Sequence, residues 1–426
     1  MKILFKKFTL GLLILCPLLS HAEEAQTLHL KTCFEKAVIH SETLAIQEES
    51  LKIAEAHYLQ ALGTVLPHIS VKGVEFIQDT SGGGGDGSVG NTLVRRTRPE
   101  VAMSLSQPLF QGFREFRALK ISSTEKSKNS LTVKRARQAL FADVARAYYA
   151  VLETEKEVAI RQAIQQSLQE RIQNLQKRIH VGKSRSSELL TTEAELASVE
   201  ADLEKSKGLM ESAKDLLSFF IGEEIKNLLV DEFKVPTSLK PLSDFLAALE
   251  KRPDLQAVTE NVRLTQGKLN YEKGGHFPTL NLDANYYPYR VGIYSDIRWD
   301  LNFILKFPLF EGFATQGKIN EAASNFRQEK LFKEESLERD TLETRQAYHE
   351  LVSIQAGQEA LQRAETKSQA SYQAIVSDEH LGLANNLEVL QALRQWQAQR
   401  LLANQSFFNT KLHYLTLLLA SGELEP

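Results

Sequence analysis

Two long segments of the first half of the chain repeat apolar residues at helical spacing. The first runs from just after Gly112 to about Ile179 without a proline or a glycine, and as a helix it would be about 100 Å long. The second, from Glu188 to Ile221, follows a break at Gly182. Within it, apolar residues recur every seven positions, at Leu189, Leu196, Leu203 and Met210. This spacing is typical of a helix packed lengthwise on another helix, so the two segments are predicted to form an antiparallel hairpin.

Shorter segments alternate between apolar and polar residues, as strands do. The alternation is clearest between Thr279 and Phe307, in a predicted strand pair. A second pair is predicted at Ile69–Asp79 and Glu100–Phe110, on either side of the glycine-rich loop Ser81–Asn91. Residues predicted to share the apolar face of one strand are Leu280, Leu282, Ala284 and Tyr286, and those of the polar face are Asn281, Asp283 and Asn285.

This alternation has two readings. Strands of about ten residues with one apolar and one polar face suit a transmembrane β-barrel. An ordinary sheet packed on one side gives the same pattern. The aromatic residues at the strand ends, such as Tyr286, Tyr289 and Trp299, favour the membrane reading because aromatic side chains collect at membrane interfaces.

The sequence is also duplicated. The hexapeptide Pro108–Phe113 returns 200 residues later as Pro308–Phe313 with five of six residues unchanged. The predicted organisation is therefore a first repeat at 23–222, a connector at 223–252 in an equatorial region, and a second repeat at 253–426. Each repeat contains a helix, a strand pair (67–110 and 278–308) and a long helical hairpin (113–221 and 313–420), and the first helix is predicted to span residues 28 to 62.

The N-terminal segment predicts that the chain is exported from the cytoplasm. Residues 1–22 have a basic start, an apolar run and a Ser-His-Ala ending, which is the pattern of a cleavable signal peptide. Lipidation at Cys16 stays an open alternative, although Leu15 before it is larger than such signals prefer. Without the three signal lysines the net charge of −3 becomes about −6, which does not favour nucleic acid as a partner. Cys33 then has no cysteine to pair with.

The sequence contains no recognisable motif for catalysis, cofactor binding or metal binding. The histidines show no His-x-x-x-His or Cys-His spacing suited to zinc, and the glycine-rich loop lacks the Gly-Lys-Ser/Thr ending of a phosphate-binding loop. No nucleophile and base are placed together. The sequence therefore predicts no catalytic, cofactor-binding or metal site.

A membrane reading of the strands requires several copies of the chain. One chain offers four strands, whereas the smallest spanning barrels have about eight, and an open sheet edge is not tolerated in hydrocarbon. A ring of identical copies solves this, and three copies would give twelve strands. The alternatives are a trimeric stalk that is structural or adhesive and does not conduct, and a general diffusion porin, for which such long helices have no use.

The ordered set of motifs resembles a known family, the TolC-like outer-membrane factors, which are exit ducts of efflux pumps and type I secretion systems. The motifs are the two Pro-Leu-Phe-x-Gly-Phe segments, the Leu66-Pro67 and Phe277-Pro278 strand starts, Arg252-Pro253-Asp254-Leu255, and the Gly182 and Gly382 helix breaks. The resemblance covers nearly all of the mature chain. It implies a mainly α-helical chain with transmembrane β-strands, in a homotrimer with a twelve-stranded outer-membrane barrel and a tunnel of helical hairpins in the periplasm.

The resemblance also implies roles for particular residues. Pro108, Gly112, Pro308 and Gly312 would form the transition from barrel to tunnel, with each proline ending the ladder of strand pairing. Val181, Gly182, Leu381 and Gly382 would lie at the hairpin tips that meet a periplasmic adaptor protein, which joins the duct to an inner-membrane pump.

The narrow tunnel entrance would be lined by Glu388 and Gln391. Relatives often carry acids at both positions, so a neutral Gln391 implies weaker selection for cations. Glu388 and Glu188 have a simpler reading as first-turn residues, stabilised by the helix dipole after Asn385 and Ser186. The resemblance names no cargo.

Overall fold

The computed structural model describes residues 27–79, 97–292 and 294–425. The predicted signal peptide and the whole of the glycine-rich loop Ser81–Asn91 lie outside these ranges. The first half contains helices α1 (Leu30–His40) and α2 (Glu42–Gly63), strands β1 (His68–Ile77) and β2 (Thr97–Gln111), and helices α3 (Arg114–His180) and α4 (Ser186–Ile221).

The second half repeats this order after a short connecting helix, α5 (Leu242–Ala248), and a 3-10 turn at Leu249–Lys251. It contains helix α6 (Pro253–Lys273), strands β3 (Thr279–Arg290) and β4 (Trp299–Lys306), and helices α7 (Ala314–His380) and α8 (Asn386–Ser421). The long helices α3 and α7 have 67 residues each, and α4 and α8 have 36 each. The equal lengths show that the duplication seen in the sequence extends to the three-dimensional structure.

The four strands form one antiparallel sheet in the order β1-β2-β3-β4. The pairing of β2 with β3 therefore joins the two halves of the chain. Strands β1 and β4 lie at the edges, so the chain leaves two rows of unpaired backbone groups at the sides of the sheet.

The largest core lies where the helical hairpins meet the N-terminal helix α1. Tyr148, Tyr149, Leu217 and Phe408 are fully buried there, on helices α3, α4 and α8. The Tyr148 hydroxyl donates a hydrogen bond to the carbonyl oxygen of Val230 at 2.7 Å and accepts one from the Val230 N–H at 2.9 Å. This core fixes the connector between the repeats against the long helices.

The Arg252-Pro253-Asp254-Leu255 motif starts helix α6 with a buried guanidinium. Arg252 donates to Asp254 at 2.9 Å, to Glu343 at 3.0 Å and to the carbonyl oxygen of Ala420 at 2.7 Å, and it lies 3.3 Å from Asp340. The end of α8 is thus tied to the start of α6 and to the middle of α7. Three elements that are far apart in sequence are joined by one side chain.

Two sequence expectations are corrected by the fold. The single helix predicted at 28–62 is two helices, because Ser41 breaks it and its side chain accepts a hydrogen bond from the Leu44 N–H as the N-cap of α2. Of the four residues in the predicted heptad of α4, only Leu203 is fully buried, and the buried stripe runs through Thr192, Glu195, Val199, Leu203 and Ser206.

Candidate functional site: the strand–helix junctions and the hairpin tips

The polar face of the sheet carries a connected row of hydrogen bonds. Ser104 donates to Asn285 at 2.7 Å, and Asn285 donates to Asp300 at 2.9 Å, so one chain of bonds crosses β2, β3 and β4. A parallel bond joins Ser106 to Asp283 at 2.6 Å. The predicted alternation of β3 is confirmed at Asp283 and Asn285, which lie opposite polar residues of both neighbouring strands, whereas Asn281 lies opposite Pro108 and Ile304.

The other face of the sheet is apolar and open in a single chain. The register places Tyr286 opposite Trp299, Leu282 opposite Phe303 and Leu280 opposite Leu305. Trp299, Phe303 and Leu305 are each about two-thirds exposed. Among the residues that the structure describes, no helix covers these side chains, so an external apolar phase or another protein surface has to do so.

At the strand–helix junction of the first repeat, which we call the first junction, the expectation that Pro108 ends the strand pairing is wrong. Pro108 lies opposite Asn281 inside β2, and pairing continues to Gln111 opposite Thr279. A register shift between Pro108 and Phe110 accommodates the proline, because a bulge removes the need for its missing N–H. Pro308, in contrast, lies beyond the end of β4 at Lys306.

The turn from strand to helix is made by two residues in the left-handed region. Gly112 has φ of +66° and Phe113 of +63°, and in the second repeat Gly312 has +59° and Phe313 +66°. Phenylalanine adopts this region only when its surroundings hold it there. At the first junction the ring of Phe113 packs edge-on against Phe110 at 5.0 Å and Phe277 at 6.3 Å.

Gly112 also allows a close backbone approach. A β-carbon added there would lie 2.4 Å from the carbonyl oxygen of Gly274, just before β3. Beside this contact, the guanidinium of Arg114 lies 4.2 Å from the ring centre of Tyr271, and Arg117 donates to the carbonyl oxygen of Asn270. The first junction is therefore closed by contacts between the two repeats.

The hairpin tips have the same backbone design in both repeats. After α3, the N–H of Gly182 donates to Ile179 and that of Lys183 to Arg178; after α7, Gly382 donates to Glu379 and Leu383 to Asp378. Both glycines have positive φ, which is the usual helix C-terminal cap. Val181 and Leu381, beside these glycines, are exposed, so the four predicted tip residues lie at the hairpin ends as expected.

Glu388 lies in the first turn of α8 and forms a capping box with Asn385. Its backbone N–H donates to Asn385 Oδ1 at 3.0 Å, and its carboxylate accepts from the Asn385 N–H at 3.0 Å. Gln391 lies one turn further along the same exposed face. The capping reading of Glu388 is thus confirmed, while a role for either residue at a tunnel entrance stays a prediction. Glu188 likewise lies in the first turn of α4, where it accepts from Ser184, but the N-cap of α4 is Arg185 rather than Ser186.

A buried polar cluster behind the tips was missed from the sequence. Glu379 is buried and accepts from Arg178 at 2.8 Å, and Arg171 lies 3.0 Å away from it. Arg171 also donates to Asn386 at 2.6 Å, and the Asn386 amide donates to Thr192 at 3.1 Å. These contacts join the two hairpins of the chain. No local sequence motif predicts these hydrogen bonds, because the partners lie about 200 residues apart along the chain.

The described residues contain no group of three or more His, Cys, Asp or Glu side chains that could hold a metal ion. In the same part of the chain, no helix has the length and apolar character needed to cross a membrane.

The amphipathic four-stranded sheet and the two long hairpins are the architecture of an outer-membrane channel protein. The chain belongs to the outer membrane efflux protein family, whose family model matches residues 35–223 and 246–422. Its location is the outer membrane, with a large periplasmic portion formed by the helices. None of the curated proteins matches the sequence closely enough to count as a relative.

Solved structures show the same fold at low sequence identity. CusC, described in its study as undergoing transmembrane channel formation, has a TM-score of 0.79 at 17% identity, over 92% of this chain and 91% of that chain. The outer membrane protein VceC of Vibrio cholerae has a TM-score of 0.79 at 16% identity, over 92% of this chain and 96% of that chain. The CmeC outer membrane channel of Campylobacter jejuni has a TM-score of 0.77 at 16% identity, over 92% of this chain and 85% of that chain. The predicted fold class is confirmed.

Proposed function

We propose that three copies of this chain form a continuous duct that serves as the exit channel of a tripartite efflux pump or a type I secretion system. The observation that carries this proposal is the open, two-faced sheet. Its apolar face suits lipid, its hydrogen-bonded polar face suits a water-filled lumen, and its two edges need further strands. Three copies supply twelve strands, enough for a closed barrel.

The helices extend the same wall into the periplasm. With 67 residues, α3 and α7 are each about 100 Å long, which no core of a single chain requires. A long helical wall connects the barrel to machinery on the inner side of the periplasm. We assign the hairpin tips, with exposed Val181 and Leu381 beside Gly182 and Gly382, as the contact with the adaptor protein.

The duct itself is passive. The chain carries no sequence motif for nucleotide binding, so the energy for transport has to come from the pump and adaptor. The buried cluster of Arg171, Arg178, Glu379 and Asn386 holds the tips of the two hairpins together, which suits a closed entrance in the resting duct. We propose that Glu388 and Gln391 line that entrance.

Two measurements on detergent-purified protein test the proposal. Native mass spectrometry should give a trimer, and planar bilayers should show discrete channels whose conductance rises when the tip is loosened by Asn386→Ala. A trimer that conducts in neither form would instead identify a structural stalk. Loss of efflux on gene deletion, restored by the wild-type chain, would establish the transport role.

A further inference from the structure

The strand–helix junction of the second repeat is incomplete in a single chain. Gly312 and Phe313 adopt the same left-handed turn as Gly112 and Phe113. Yet a β-carbon added at Gly312 would meet no atom within 4 Å, and Phe313 is 78% exposed. The backbone shape that serves close packing at the first junction is present at the second, but there Gly312 is open and Phe313 packs edge-on against Phe310 of its own turn.

The duplication identifies what is missing. At the first junction Gly112 packs on Gly274, which precedes Pro278 by four residues. In the first repeat, Gly63 likewise precedes Pro67 by four residues. A β-carbon at Gly63 also meets nothing within 4 Å. Gly63 and Gly312 are therefore both open, and each is the repeat equivalent of one member of a closed pair.

Other equivalent residues show the same imbalance. Leu264, ten residues before Gly274 on α6, is 6% exposed, whereas Ile53, ten residues before Gly63 on α2, is 56% exposed. Helix α6 packs against both α3 and α7, while α2 packs against α3. The surface of α2 that carries Ile53 thus lacks the second long helix that its counterpart has.

We propose that Gly312 of one copy packs on Gly63 of the neighbouring copy, with Phe313 against the neighbour's Leu66 and the neighbour's Ile53 covered by α7. This contact, which we call the copy seam, rests on the proposed trimer. It repeats between copies the contact that Gly112, Phe113, Gly274 and Phe277 make within one chain. The occupant of the open surface is a second copy of this chain.

The same equivalence fixes the strand register at the copy seam. Within the chain, Leu105 lies opposite Ala284, in a stretch of β2 between two register shifts. The equivalents are Leu305, three residues before Pro308, and Gly73, six residues after Pro67. Leu305 on β4 of one copy should therefore lie opposite Gly73 on β1 of the next.

The copy seam should differ from the internal junction in one chemical respect. Arg114 and Arg117 fasten the internal junction through Tyr271 and Asn270, whereas the equivalent positions in the second repeat are Ala314 and Gly317. The copy seam has no cation at these positions and depends on close packing of small and apolar groups. Its stability should therefore respond little to salt.

Cysteine cross-linking tests the register. In a Cys33→Ala background, which leaves no cysteine after residue 22, the pair Leu305→Cys and Gly73→Cys should give covalent trimers on mild oxidation. Residues directly opposite in antiparallel strands have Cα atoms about 4.5–5.5 Å apart, within disulfide range. The matched controls pair Leu305→Cys with Val71→Cys or Glu75→Cys, which lie on the same face two residues away in either direction. They should cross-link at least tenfold less.

A matched pair of glycine variants tests the packing. Gly274→Ala adds a β-carbon 2.8 Å from the Gly112 carbonyl oxygen and should destabilise the folded chain itself. Gly63→Ala has open space in one copy, and alanine favours its helix, so the chain should fold normally. Its trimer fraction should nevertheless fall, since the added carbon meets Gly312 of the neighbour.

The outcomes separate this inference from the proposed function. A conducting trimer that cross-links equally in the control registers, or that forms undiminished with Gly63→Ala, overturns the copy seam and leaves the duct intact. A protein that is monomeric in detergent overturns both. Register-specific trimers together with a reduced trimer fraction for Gly63→Ala support the copy seam.

Discussion

Arg171 of helix α3 donates a hydrogen bond of 2.6 Å to the side-chain oxygen of Asn386, the first residue of helix α8. Asn386 is almost fully buried, and its amide nitrogen donates in turn to the hydroxyl of Thr192 and to the carbonyl oxygen of Glu188. One short side chain thus bridges both helices of the first hairpin and the start of the last helix. The two hairpin tips are held in a fixed relative position by this residue.

Asn386→Ala should loosen the tips. It leaves a buried Arg171 donor and Thr192 without their partner, at a cost of about 1–3 kcal/mol. Because about 1.4 kcal/mol is a tenfold change in an equilibrium, the open state of the entrance should be populated roughly fivefold to a hundredfold more. Single-channel recording in planar bilayers measures this as more frequent or longer open events.

Asn385→Ala is the matched control for the tip variant. Asn385 is exposed and caps α8 through Glu388, and its substitution should cost about 1 kcal/mol at that helix end without touching the first hairpin. If both variants raise the conductance equally, fraying of α8 rather than the buried bridge controls the entrance.

Tyr148→Phe should destabilise the fold far more than the same change at the repeat-equivalent Tyr348. The Tyr148 hydroxyl bonds both the N–H and the carbonyl oxygen of Val230, so its loss should cost about 1–3 kcal/mol. In the described part of the chain, the Tyr348 hydroxyl makes no hydrogen bond, and Tyr348→Phe should cost little. Thermal unfolding in detergent, followed by circular dichroism, measures the difference. Equal losses would show that ring packing rather than the hydroxyl sets the stability.

The long helices could be predicted almost to the residue. The first was expected up to Ile179 and ends at His180, and a glycine-terminated cap follows at Gly182. The signals were local, namely a run without proline or glycine and then a residue suited to positive φ. The strands were found because an amphipathic sheet imposes a period of two, and β1, with the poorest alternation, was still paired along ten residues with β2.

The features that were missed depend on contacts distant in sequence. The break at Ser41 looked like a continuous helix because the residues around it are all compatible with one. The buried stripe of α4 is partly polar, since Glu195 pairs with Arg394 of α8. The heptad of apolar residues could therefore not locate this stripe. The bridges of Arg171, Glu379 and Arg252 join residues that no spacing rule relates. Their geometry follows only from the packed arrangement of the hairpins.

Asp340→Asn should change how stability depends on pH. Burial raises the pKa of Asp340, against the opposing effect of Arg252. The folded protein therefore holds this proton more tightly than the unfolded chain does. The stability from this group is present below about pH 4 and is lost as the pH rises through the raised pKa. The melting temperature of Asp340→Asn relative to wild type should accordingly increase between about pH 4 and pH 7.

Glu343→Gln serves as the control because Glu343 contacts the same guanidinium at 3.0 Å but has a side chain that is 48% exposed. Solvent screens an ion pair this exposed, so Glu343→Gln should change the melting temperature little. A wild-type advantage over Asp340→Asn that grows with pH would mean that attraction to Arg252 outweighs the burial of the carboxylate.

Gln391→Glu should make the channel more selective for cations. Gln391 and Glu388 lie on one exposed face at the start of α8, one turn apart, so the substitution would add three carboxylates close to three existing ones in a trimer. These charges act at short range, because screening at physiological salt extends about 8 Å. We expect the cation-to-anion permeability ratio, from reversal potentials in a salt gradient, to rise at least about twofold, which corresponds to ~0.4 kcal/mol. Gln395→Glu, an exposed position one further turn from the tip, carries the same charge change and should have a smaller effect. If the two variants shift the reversal potential equally, position 391 does not lie at the narrowest point of the entrance.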